Sequence, residues 1–139
     1  MQKISDSAVF CLLSSVFCIL SFMILAAVDD LMFASKISAA ARQLGVEVIF
    51  ARSSDEVLRQ ARALRPRLAI FDLNSTRTEP LATISAIKAD ADLVGVRTIA
   101  FVSHVQAELI EDARRSGVDE VLARSAFSAK LGEILQSGG

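Results

Sequence analysis

Five short apolar runs rich in β-branched residues recur along the chain: MILAAV (23–28), VEVIFA (46–51), RLAIFD (67–72), RTIAFV (97–102) and EVLAR (120–124). Each is too short for a buried helix and has the composition of a strand buried on both faces. Between them the apolar spacing changes to that of helices. Ile37, Ala40, Ala41 and Leu44 share one helical face, and so do Val57, Leu58, Ala61 and Leu64. Leu81, Ile84 and Ile87 mark a third helix, Leu109, Ile110 and Ala113 a fourth, and Phe127, Leu131, Ile134 and Leu135 a fifth. Gly45 and Gly117 follow the first and fourth helices, where a left-handed C-cap is wanted, and Pro80 opens the third.

Strands alternating with helices predict an α/β fold, a doubly wound five-stranded parallel sheet covered on both faces. Right-handed crossovers bring every strand to the same edge at its carboxyl end, where such sheets bind ligands. The 139 residues suffice for one such domain and not for two.

The predicted edge collects polar groups. Strand one ends in Asp29-Asp30, strand three in Asp72 followed by Leu73 and Asn74, strand four in Ser103-His104, and strand five in Arg124-Ser125. Strand two adds nothing comparable. Singly these residues have ordinary uses: Asp30 and Ser103 as caps of the first and fourth helices, Arg124 as a counter-ion for Asp72, His104 as a solvated loop residue. As a set, clustered carboxylates repel one another and need compensation. A hard divalent cation held by oxygens supplies it, and Mg²⁺ suits a small site that keeps its waters. A carboxylate beside such an ion can attack phosphorus, with the hydroxyl and the cation steadying the phosphoryl oxygens. A hydrolytic phosphatase would want a second acid two residues after its nucleophile, and that position is Asn74.

From Met23 to the C-terminus, the VDD and IFDLN segments and the serine of FVSH together resemble a response-regulator receiver domain. The resemblance implies a flavodoxin-like (βα)5 sheet of strand order 2-1-3-4-5 and a signalling module rather than an enzyme. It implies a phosphoryl group accepted on Asp72, and Mg²⁺ held by Asp29, Asp30, Asp72 and the backbone carbonyl of Asn74. Ser103 falls at the family's Ser/Thr switch position. The implied partners are a histidine kinase or other phosphodonor protein and a downstream protein target.

Three features depart from the family's pattern. Arg124 stands where the family has lysine, with Ser125 in place of the following proline. The loop after Asp72 reads NSTRTEP, with Pro80 where a glycine is common, and Val121 replaces the aromatic switch residue. Arginine keeps the charge but not the compact ammonium, and its fork can pair with the acidic cluster instead of a phosphoryl group. A pseudo-receiver, binding partners without phosphorylation, is therefore the alternative reading. The chain ends at Ser137-Gly138-Gly139, just after the last predicted helix. Output is then expected through protein contacts of helix four, strand five and helix five.

Residues 1–22 form an apolar extension separate from the receiver-like domain at 23–139. No charge interrupts Ala8 to Val28, but the end of that stretch doubles as the first strand, leaving Ala8 to Phe22, short for a bilayer. Three readings stand: a membrane anchor, an apolar helix packed on the domain or a partner, and a misassigned start upstream of Met23. The corresponding locations are the cytoplasm, or a membrane with the domain facing the cytoplasm. Cys11 and Cys18, seven residues apart, are too distant along a helix for a disulfide and read as inert thiols. Fifteen basic against 16 acidic residues, without Trp or Tyr, exclude a basic or aromatic nucleic-acid surface.

Overall fold

The computed structural model describes residues 23–103 and 106–138. The three readings of residues 1–22, the two cysteines and His104 lie outside the described residues. The element order is β1 (Met23–Ala27), α1 (Leu31–Leu44), β2 (Glu47–Phe50), α2 (Ser54–Leu64), β3 (Leu68–Asp72) and α3 (Pro80–Ala89). A 3₁₀ turn (Ala91–Leu93) precedes β4 (Arg97–Val102), α4 (Ala107–Arg115), β5 (Glu120–Ala123), α5 (Arg124–Ala129) and α6 (Leu131–Gly138). All strand pairs are parallel and the five-stranded sheet has the order β2-β1-β3-β4-β5.

Alternation along the strands builds two cores. Leu25, Ala27, Ala69, Phe71, Ala100 and Val102 pack with Val57, Ala61, Ile84, Ile87 and Ala113 of α2, α3 and α4. The alternate residues Ile24, Ala26, Leu68, Ile70, Ile99 and Phe101 pack with Phe33 and Ile37 of α1 and with Phe127, Leu131, Ile134 and Leu135. Every residue of β3 is buried, whereas the edge strand β5 is half-buried throughout. On the second face three rings pack together, Phe101 lying 4.8 Å from both Phe33 and Phe127 between centroids.

Local signals act as their chemistry requires. Asp30 caps α1, its side chain accepting from the Met32 and Phe33 N–H groups. Gly45 ends that helix at φ 70°, a left-handed conformation open to glycine at little cost. Pro80 occupies the first turn of α3. Ser103 does not cap α4: the residue at that N-cap is Gln106, whose side chain makes no capping bond to the helix. The expected fifth helix is divided at Lys130 into α5 and α6.

At the amino-terminal edge of the sheet, Asp119 closes a polar clasp. Its Oδ2 accepts from Lys88 Nζ at 2.8 Å, Thr98 N at 2.8 Å and Thr98 Oγ1 at 3.0 Å. The Asp119 N–H donates back to Thr98 Oγ1 at 3.0 Å.

Candidate functional site

The carboxyl edge gathers the residues expected there. Asp29 and Asp30 follow β1, Asp72 is the last residue of β3, Ser103 follows β4, and Arg124 opens α5 directly after β5. Pairing of β1 with β3 (Ala27 beside Phe71) and of β3 with β4 (Asp72 beside Phe101) sets these ends side by side.

Asp72 is 6% exposed. Its Oδ1 accepts from the Asn74 N–H at 2.9 Å, folding the loop back on the carboxylate. Burial pushes its pKa above the ordinary aspartate value; the Asn74 N–H and the Arg124 charge oppose that shift, and the charges of Asp29 and Asp30 add to it. The mutual repulsion expected of the acidic set is thus part of its electrostatics.

Each of the other two acids already uses an oxygen. Asp29 Oδ2 accepts from Ser75 Oγ at 3.3 Å. Asp30 Oδ2 accepts from Arg124 Nη2 at 2.8 Å, while its Oδ1 takes the two cap N–H groups. The Arg124 bond foremost, with the Phe33 N–H, holds Asp30 below the usual carboxylate range against a small desolvation penalty. Arg124 is therefore the ion-pair partner of Asp30, and the direct Arg124–Asp72 bridge considered above does not form. Asp72, the last residue of β3, is buried, whereas Asp30 caps α1 and is part-exposed, within reach of a long side chain. The Arg124 Nη1 makes a long 3.5 Å contact with Ser103 Oγ, and its guanidinium carbon lies 4.4 Å from the Phe33 ring centroid.

Asn74 ties the loops together. Its Oδ1 accepts from the Ser103 N–H at 2.7 Å and its Nδ2 donates to Gln106 Oε1 at 2.9 Å. Ser75, Gln106 and Phe33 thus belong to the site although the sequence reading did not place them there. Phe33 carried a signal: it lies one helical turn before Ile37, on the same apolar stripe, and three residues after Asp30. Val121 is half-buried and packs against the α2–α4 core as a small apolar residue.

Hard oxygen donors suited to a divalent cation are present in Asp29, Asp72 and the Asn74 carbonyl. Among the described residues, however, no three acidic, histidine or cysteine side chains converge as a ready-made metal group. Of the three acids, Asp30 is the one turned to a cation, its Oδ2 bonded to Arg124. The donors fit a cation that keeps several waters, not a closed protein cage.

No protein-family model matches the chain, and no curated protein matches it. Solved structures do. A response regulator from Hahella chejuensis superposes with a TM-score of 0.77 at 14% identity, over 85% of this chain and 95% of its own. The receiver domain of a sensor histidine kinase from Pseudomonas aeruginosa, with magnesium coordinated in its active-site cleft, gives 0.74 at 23% identity, over 84% and 96%. A phosphorylated cyanobacterial phytochrome response regulator gives 0.69 at 22% identity, over 83% and 89%. Residues 23–138 therefore have the response-regulator receiver fold, with its 2-1-3-4-5 parallel sheet.

Proposed function

We propose that this chain is a receiver module of two-component signalling, accepting a phosphoryl group on Asp72 from a histidine kinase or other phosphodonor protein. The observation that supports it best is a buried carboxylate at the end of the central strand β3, flanked by two acids, a hydroxyl and a guanidinium. In this reading an Asp72 oxygen attacks the donor's phosphorus. The new O–P bond forms as the P–N bond to the donor imidazole breaks, and that nitrogen takes up a proton. Asp29, Asp72 and the Asn74 carbonyl would hold Mg²⁺, with Asp30 available as a further carboxylate; the bound ion would neutralise the phosphoryl charge. Ser103 donates to a phosphoryl oxygen, and Arg124 lies on the Ser103 side of the pocket. The signal is then read by a downstream protein. Among the described residues no helix is long and apolar enough to cross a membrane.

One observation favours a second reading. The 2.8 Å Arg124–Asp30 bond gives the acidic edge an internal counter-ion, as a phosphorylation-independent binding module would need. The two separate by incubating the full chain with acetyl phosphate and Mg²⁺ and following intact mass. A single phosphoryl adduct that vanishes in Asp72→Asn and without Mg²⁺ is expected. No adduct, together with no Mg²⁺ binding by calorimetry, would overturn the phospho-accepting reading and leave the binding module as the better one.

A further inference from the structure

Arg124 is restrained on two sides. Its guanidinium bonds the outer oxygen of Asp30 at 2.8 Å and lies over the Phe33 ring at 4.4 Å. The ring is a fixed platform. Phe33 is 6% exposed and wedged against Phe101 at 4.8 Å and Phe127 at 5.8 Å, so it cannot swing aside without disturbing the core. The partner carboxylate is equally fixed, because its other oxygen accepts from the Met32 and Phe33 N–H groups. Phe33 thus supports the same contact twice, through its ring beneath the cation and its N–H beneath the anion. A planar guanidinium can lie on a ring while its edge bonds a carboxylate, whereas an ammonium has no plane to stack.

We infer that Phe33 is a positioning residue which, by holding the Arg124 guanidinium on Asp30, makes divalent-cation binding a displacement: the cation gains Asp30 only by dislodging Arg124. This rests on the metal-binding reading above and adds its regulation. A site of this kind binds Mg²⁺ more weakly than the same acids with a mobile cation beside them. Metal occupancy and the position of Arg124 are then one equilibrium, and metal entry frees a guanidinium whose Nη1 already touches Ser103 Oγ at 3.5 Å.

The test is calorimetric titration of the full chain with Mg²⁺, comparing wild type, Phe33→Leu, Arg124→Lys and the double variant, each first shown to keep the wild-type circular dichroism and to remain folded, with a cooperative urea transition, at the titration temperature. Phe33→Leu is expected to tighten Mg²⁺ binding about three- to fivefold by removing the stacking. Arg124→Lys is expected to tighten it about tenfold, on the scale of one charge-assisted hydrogen bond, and the double variant no further, because both changes release one restraint. Wild-type affinity in both single variants would overturn the displacement while leaving the metal site standing. Absence of binding in all four proteins would overturn both.

Discussion

At Asp72 the fold holds a carboxylate in a place that disfavours its charge. Its pKa is raised, so folding disfavours its charged form relative to the unfolded chain, and the stability the protonated group contributes is complete below the unfolded aspartate range and lost as pH rises through the folded value. Asp72→Asn removes that penalty while keeping an acceptor for the Asn74 N–H. It should therefore raise the urea midpoint at pH 7, with the gain shrinking towards zero near pH 3; an equal gain at both would show that charge is not the cause. The sequence placed Asp72 at this edge because an apolar strand ending on an acid is a local pattern. It named Asp72 as the counter-ion of Arg124, whereas the structure pairs Arg124 with Asp30, 94 positions away; the packing of α1 against α5, Phe33 on Phe127, decides between two neighbouring acids, and no local pattern reports it.

Each strand foreseen from the sequence is found within one or two residues of its expected bounds, because in a doubly covered parallel sheet the strand's composition alone carries its burial. The break at Lys130 was not legible. Phe127, Leu131, Ile134 and Leu135 are all buried and keep helical spacing through it, and periodicity reports which face is covered rather than the dihedral angles of one residue. The Asp119 clasp likewise joins α3, β4 and the start of β5, a contact that no local pattern announces. Burial opposes ionisation of Asp119, but the Lys88 and Thr98 bonds outweigh it, so its pKa is lowered. Its contribution is present above the unfolded aspartate range and fades as pH falls. Asp119→Ala leaves the buried Thr98 N–H without its acceptor and should cost about 1–2 kcal/mol in urea unfolding at pH 7, since the partly exposed ion pair adds little. The difference should narrow near pH 3.

Across the described residues, the two cores lie on opposite faces of the sheet, and the second one also supports the functional edge. Phe101 lies between Phe33 and Phe127, and Phe33 lies under Arg124. Phe101→Ala should cost about 3–5 kcal/mol by chemical denaturation, the range for a fully buried aromatic side chain. The strand order has a consequence for synthesis. Of the five described strands β1 leaves the ribosome first, yet it lies inside the sheet, hydrogen-bonded to β2 on one side and β3 on the other. It cannot be enclosed until translation has passed Asp72, the last residue of β3. For that interval the nascent chain carries an apolar strand with no second neighbour, while β4 and β5 can add later to an edge that already exists.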